Sequence, residues 1–494
     1  MSVRIRTAAL LALATSCGGS EPAHHVHGTL LHAIRPTEVE RAQLWRYDAA
    51  DVVEHHDSGG GAFRIHFTRA GEHAVPAADA DETGVPDYVE TVAAIYEEVL
   101  TFYDGLGFRI PLGDEAITGE NGGDGRFDVY LLDFAHSADG AFVTDRCGAS
   151  GCVGYMVQEN DFAGYGYPSR TVGARILASH EFFHAVQAAY GPGGDVVLSE
   201  GTAVWASETF DPALSDFEAF VGGYLEDPGR SIDVPPPGPV PRFAYGSAIF
   251  FRFLEERFDR SLIAALLERS GQGAWLDALD QLLAEGHGSS FAEAFLDFGA
   301  WNLHLAQAAD PAVAYANGAD YPQPQMAALQ APVVEERLRV YHASTRYFEV
   351  DPGGRSVLAA QVVAPDAAEL ADLALLAVAR TGGRNRGAVQ VIAAADGRLV
   401  IDAGGADRVI VALSNGSRVN PSRRPTLCVG TEEEVDACAA TFGAVDPDPE
   451  PVPEPEPPAA ASEDGGCSSG GSAGLLGVVV VPLLLLRRSA CRHR

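Results

Sequence analysis

Two histidines four residues apart, with a glutamate beside the first, make the sharpest chemical statement in this chain: His180, Glu181 and His184, within the stretch 178–187. On a helix, residues four apart share a face, so both imidazoles can grip one metal ion while the carboxylate stands next to it. Two neutral imidazoles suit zinc. A catalytic zinc needs a third protein ligand and an open position for water, and an adjacent carboxylate can take that water's proton. Glu200, sixteen residues after His184, is the expected third ligand, with Glu208 as the alternative. The expected arrangement is a helix, a stop at Gly191–Gly194, and a second antiparallel helix that returns a carboxylate to the metal.

The elements around this motif must position it. Val172, Ile176, Phe183, Val186 and Ala189 recur at spacings that predict a buried stripe on the metal-binding helix. Residues 63–67 alternate like a strand with one exposed face, and a further strand is expected over 127–133. Residues 153–158 read as an edge strand able to take a substrate backbone by strand addition. Further helices are expected over 216–225, 245–257, 261–268 and 291–304. Tyr245 would open the second of these, where its phenol can donate to an oxyanion or simply cap the helix.

A second constellation lies upstream. Asp79, Asp81, Thr83, Val85, Asp87 and Glu90 occupy positions one, three, five, seven, nine and twelve of a loop with Gly84 at six, the ligand spacing of an EF-hand-type calcium loop. It would lead into a helix over 88–103 and act as a structural staple. The segment 121–128 lacks a full ligand series and reads as a turn before a strand.

The residues of these motifs resemble a known group. His180–His184 with Glu200–Ala203 is similar to the gluzincin metallopeptidases, in which two histidines of HExxH and a downstream glutamate bind zinc. Together with Pro86–Glu90, Phe127–Leu131, Glu200–Trp205 and Tyr245–Phe250, the chain resembles a family of secreted metalloproteases catalogued from myxobacteria, over roughly residues 62–270. The resemblance implies an α+β zincin-like metalloprotease domain, zinc on His180, His184 and Glu200, Glu181 as general base, and a peptide or protein substrate.

Bulk properties set the frame. With 494 residues and 47 % apolar composition, the chain is long enough for more than one domain. The 68 acidic residues against 34 basic ones give a net charge of −34, which argues against nucleic acid and anionic membrane surfaces as partners. Residues 1–17 carry Arg4 and Arg6, an apolar run and Cys17, an export signal resembling a lipobox. Cys147 and Cys152, and Cys428 and Cys438, are expected as two disulfides of an exported protein. Residues 18–61 form an N-terminal segment or pro-region, 62–310 the zinc metalloprotease domain and 311–332 a linker. A β-sandwich-like accessory domain is expected over 333–444, from short β runs including 338–342, 347–350, 356–363, 373–379, 389–393 and 409–414. Residues 445–466 are a Pro/acidic linker. The last segment, 467–494, joins Cys467, an apolar run too short for a stable transmembrane helix and terminal arginines. It resembles the C-terminal sorting signal of Myxococcus-type bacteria, which implies processing at Cys467 and delivery to the cell envelope or surface; a simple tail anchor is the alternative.

Two other functions share these features: a non-catalytic surface adhesion protein built on the same fold, and a zinc amidase acting on cell-wall peptides. The retained glutamate at 181 speaks for turnover, and the choice of substrate separates peptidase from amidase.

Overall fold

The metal-motif helix is buried almost all round, and two layers are built to cover it. In the computed structural model, residues 34–38, 45–111, 113–115, 121–148, 150–237, 240–271, 274–419 and 423–443 are described. The export signal, Cys17, the histidines at 24–27, the acidic linker and the segment with Cys467 lie outside them.

The first layer is a five-stranded mixed sheet formed by β1 (Glu54–Asp57), β2 (Phe63–Phe67), β3 (Phe127–Leu132), β4 (Gly140–Gly148) and β5 (Gly151–Glu159). Its order is β1-β2-β3-β5-β4. The β2–β3 and β3–β5 pairs are parallel, while β4 closes one edge antiparallel to β5. The expected edge strand, 153–158, is therefore internal, and β4 is the edge. The β4–β5 hairpin is local, but β5 also pairs with β3, which leaves β4 outermost. Nor does β2 show a clean exposed face: four of its five residues are buried, with His66 Nε2 2.7 Å from Asp128 Oδ1.

Helices α1 (Asp87–Gly105), α2 (Arg170–Ala188) and α3 (Val196–Phe210) join the sheet in one apolar core that includes Phe63, Tyr96, Phe182, Phe183 and Trp205. Every residue of α2 from Ile176 to Val186 is buried, where a single stripe was expected. Helices α4 (Asp216–Leu225), α5 (Arg242–Gly246), α6 (Ala248–Arg257), α7 (Ser261–Ser270), α8 (Trp275–His287) and α9 (Phe291–Trp301) complete the helical layer. The expected helix 245–257 is two pieces, broken at Ser247. There Gly246 packs so closely on α4 that an added Cβ would lie 2.3 Å from the Tyr224 amide nitrogen.

The outer face of the sheet is covered by the N-terminal segment. Tyr47 is fully buried and packs with Tyr130, Leu132, Val143 and Tyr155. Arg35, 1 % exposed, pairs with Asp114 at 2.7 Å, Asp145 at 2.5 Å and Asp128. One cation among three buried carboxylates leaves excess negative charge: burial, with the neighbouring carboxylates adding, pushes Asp114 up to about 7 and Asp145 up to about 6. Strand β1 pairs with β2 across the boundary expected at residue 62.

The C-terminal half is β-rich, so the chain joins an α+β portion to a two-sheet portion. Its strands are β6 (Met326–Gln330), β7 (Val333–Glu335), β8 (Ser344–Asp351), β9 (Val357–Val363), β10 (Leu373–Thr381), β11 (Arg384–Asn385), β12 (Gln390–Ala393), β13 (Arg398–Asp402), β14 (Arg408–Asn415) and β15 (Thr426–Gly430). A six-stranded and a four-stranded sheet share a core that includes Phe348, Leu375, Leu413, Leu358 and Leu427. The β run begins at Met326, inside the expected linker, and residues 338–342 form only an isolated bridge at Val340. The outer face of the larger sheet packs on Leu303, Leu296 and Ala300, and Tyr347 donates to the Gly299 carbonyl at 3.0 Å. The smaller sheet is capped by α10 (Glu432–Phe442), tied down by the Cys428–Cys438 disulfide. No described helix is long and apolar enough to cross a membrane.

Candidate metal and catalytic site

The α2–α3 pair is antiparallel, as two cross-links at opposite ends require. Ser179 Oγ lies 2.9 Å from Ser207 Oγ. Eight residues earlier on α3, at the other end of the pair, Gln187 Nε2 donates to the Ser199 carbonyl at 2.8 Å. Asp195 starts α3 by accepting from the amides of Val197 and Leu198. Gly201 allows α3 to meet α6 closely: a Cβ there would lie 2.3 Å from Ser247 Oγ and 2.6 Å from the Phe251 ring.

This packing brings Glu200 to the histidines. Glu200 Oε2 stands 3.4 Å from His180 Nε2 and 3.8 Å from His184 Nε2, all three side chains being almost fully buried. Ligand atoms on a tetrahedral ion with bonds of about 2.1 Å stand about 3.4 Å apart. The donor set has the chemistry to hold one such ion, and the two histidine–glutamate separations are close to that spacing. Glu208, the alternative, is not brought there; it is buried 4.0 Å from Arg252, and burial, with Glu218 adding, pushes its pKa up to about 7.

Glu181 has a ligand atom within 4.8 Å of those of both histidines. The Phe142 amide of edge strand β4 donates to Glu181 Oε2 at 3.2 Å. That contact fixes the carboxylate beside the histidine pair, and no local sequence signal pointed to Phe142.

A second contact orients His184. Its Nδ1 donates to Gln187 Oε1 at 2.8 Å, while Gln187 Nε2 donates to the Ser199 carbonyl and to Thr202 Oγ1, both at 2.8 Å. Because the amide nitrogen is committed to these acceptors, the amide oxygen faces the ring. The proton on Nδ1 leaves Nε2 with its lone pair towards Glu200, the tautomer a metal ligand requires. Gln187 carries no role in the sequence reading, although its place three residues after His184, about one helical turn on, is a signal that could have found it.

Tyr245 reaches the site from the end of α5. Its ring is 5.9 Å from that of His180 and stacks on Phe220 at 5.1 Å. Burial first, then the charges of Glu200 and Glu181, hold its phenol far above the usual range, so it remains protonated and able to donate. Asp139, fully buried and accepting from Tyr167 at 2.7 Å, adds to that field.

A cavity of about 600 Å³ opens onto the site, with His184 and Glu200 in its wall beside Phe142 and Thr144 of β4. The Cys147–Cys152 disulfide, which ties β4 to β5 across their hairpin, also lines it.

The upstream loop closes on itself. Asp79 accepts from the amides of Thr83 and Gly84, each at 3.0 Å, Asp87 from Ala80 at 2.9 Å, and Glu90 from the Thr83 hydroxyl at 3.0 Å. The Thr83 hydroxyl also approaches the Val85 carbonyl at 3.5 Å. Gly84 takes φ +87°, the conformation its loop position calls for. Ligand atoms of Asp79, Asp81 and Asp87 lie within 4.8 Å of one another.

No family model matches this sequence, and no curated protein matches it. A solved structure of Legionella pneumophila aminopeptidase A in complex with aspartic acid aligns over 74 % of this chain and 36 % of its own length, with 13 % identity and a TM-score of 0.31. A likeness that weak carries no inference about this chain.

Proposed function

We propose that the protein is an exported zinc-dependent endopeptidase of gluzincin type. The observation that carries this reading is the approach of Glu200 Oε2 to His180 Nε2 at 3.4 Å and to His184 Nε2 at 3.8 Å, with a second carboxylate, Glu181, held beside the histidines. His180, His184 and Glu200 would hold the zinc. When bound, the ion supplies Lewis-acid polarisation of a peptide carbonyl and acidification of a water.

The chain's own residues supply the rest. Glu181, steadied by the Phe142 amide, takes a proton from the attacking water and returns it to the departing amine nitrogen. The Tyr245 phenol, kept protonated by its surroundings, donates to the oxygen on which negative charge develops. Gln187 holds His184 in the required tautomer. The upstream loop is assigned to Ca²⁺, which would fix the start of α1. Two disulfides support a route through an oxidising compartment, in keeping with the terminal segments read as export and sorting signals.

The test is zinc content and casein hydrolysis on parent protein and Glu181→Gln. The variant is expected to hold about one zinc per chain and to lose nearly all cleavage. Casein cleavage at the parental rate by the variant would sink the mechanism.

A further inference from the structure

The cavity that reaches His184 and Glu200 has walls of uneven chemistry. Val196, Leu198, Val240, Leu267, Trp275 and Leu276 make it apolar along much of its surface. Its carboxylates are Asp195, Glu200 and Asp233, with no lysine or arginine among its described lining residues.

Two of those carboxylates are committed. Asp195 caps α3 through Val197 and Leu198, and Glu200 faces the histidines. Asp233 is different. Its Oδ1 accepts from His342 Nε2 at 2.8 Å, and its Oδ2 makes no hydrogen bond among the described residues. His342 Nδ1 lies 3.3 Å from Ser231 Oγ. The ring orients the Asp233 carboxylate through Oδ1. The β-rich half thus grips the loop that carries Asp233, since the Ile232 amide also donates to the Ala343 carbonyl at 2.9 Å. Asp233 is a quarter exposed, enough to be met by an incoming group.

We propose that this cavity is the specificity pocket of the site, and that it selects a substrate residue with an apolar stem and a cationic end, lysine or arginine, through Asp233. The inference rests on the peptidase reading above. The stem of such a side chain lies along the apolar walls while its charge reaches the carboxylate, the division between body and tip that long basic side chains adopt. His342 is a positioning residue in this scheme. The chain's net charge of −34 adds a long-range attraction for basic peptides.

Binding and cleavage test it separately. Full-length zinc-loaded Glu181→Gln protein is titrated by calorimetry with two peptides that differ only in one residue, lysine or norleucine, which share a stem and differ in charge. A charge-assisted contact predicts at least about tenfold tighter binding of the lysine peptide. Adding Asp233→Asn should bring the ratio towards one, whereas Asp233→Glu, which keeps the charge, should retain a preference; melting temperature and zinc content establish that each variant is folded. Equal or tighter binding of the norleucine peptide, or a lysine preference that survives Asp233→Asn, would overturn the proposal. Parent protein is then given both peptides. Cleavage without lysine preference removes the specificity pocket alone, and lysine-selective binding with no cleavage removes the peptidase reading alone.

Discussion

Replacing Gln187 by leucine tests the site at its most economical point. Leucine keeps much of the apolar stem and removes three hydrogen bonds at 2.8 Å, to His184 Nδ1, the Ser199 carbonyl and Thr202 Oγ1, and a fourth that Gln187 Oε1 accepts from Ser199 Oγ at 3.0 Å. Each such bond contributes about 1 kcal/mol net. Thr202 retains its bond to the Leu198 carbonyl at 2.7 Å, and water from the adjoining cavity can reach the others, so a metal-free loss of about 2–3 kcal/mol is expected. Metal affinity should fall further than stability alone requires, because His184 loses the partner that sets its tautomer. Removing such a partner costs about 10–100-fold in affinity.

The assay is competition for zinc against a fluorescent chelator at fixed pH, with melting temperature of the metal-free protein measured alongside. Gln187→Glu separates the two effects. Its carboxylate accepts from Nδ1 but cannot donate to the Ser199 carbonyl, so it should recover zinc affinity to within about tenfold of the parent while staying as unstable as the leucine variant. Should Gln187→Leu bind zinc within about twofold of the parent, or should both variants lose affinity only in step with stability, the orienting role of Gln187 is wrong.

Two more outcomes follow from the charged groups. Calcium should raise the melting temperature by selective binding to the folded loop, worth about 2.7 kcal/mol at a hundredfold excess over Kd, and Asp79→Asn should abolish the rise; an equal rise in the variant would place the ion elsewhere. Stability should fall between pH 5 and 8. Burial pushes Asp145 up to about 6 and Asp114, Glu159 and Glu208 up to about 7, above an unfolded value near 4. The folded state therefore holds protons that the unfolded chain has released, and loses that advantage as pH rises through 6 to 7. His304, whose pKa burial lowers, acts with the opposite sign but is a single group. Thermal melts at constant ionic strength that are flat or rise across this range would refute the argument.

What was legible in the sequence is what spacing along one helix or loop controls. His180, Glu181 and His184 share a helical turn, Gly84 sits where the calcium-type loop turns, and the glycines at 191–194 stop α2; each is fixed by neighbours within a dozen residues. Glu200 was within reach for the same reason, being one turn and one helix start away. The helix Trp275–His287 lies outside the segments expected from sequence, although Trp275, Leu279 and Leu283 recur every four residues and are buried.

The remainder depends on pairings that no local pattern encodes. Strand order is one: β4 is the edge because β5 pairs with β3 as well as with its hairpin partner, and that choice delivers the Phe142 amide to Glu181. The burial of Arg35 is another, since its carboxylate partners stand 79 to 110 residues away and nothing near Arg35 announces them. Asp233 and His342, 109 residues apart, belong to the same class. The general point these contacts support is that the proposed metal ligands, and Gln187 which orients His184, are encoded locally, whereas the amide that holds Glu181 and much of the cavity wall come from remote segments. Substitutions that alter selectivity are therefore expected in the 231–237 segment and at its contacts with the β-rich half, outside the histidine motif itself.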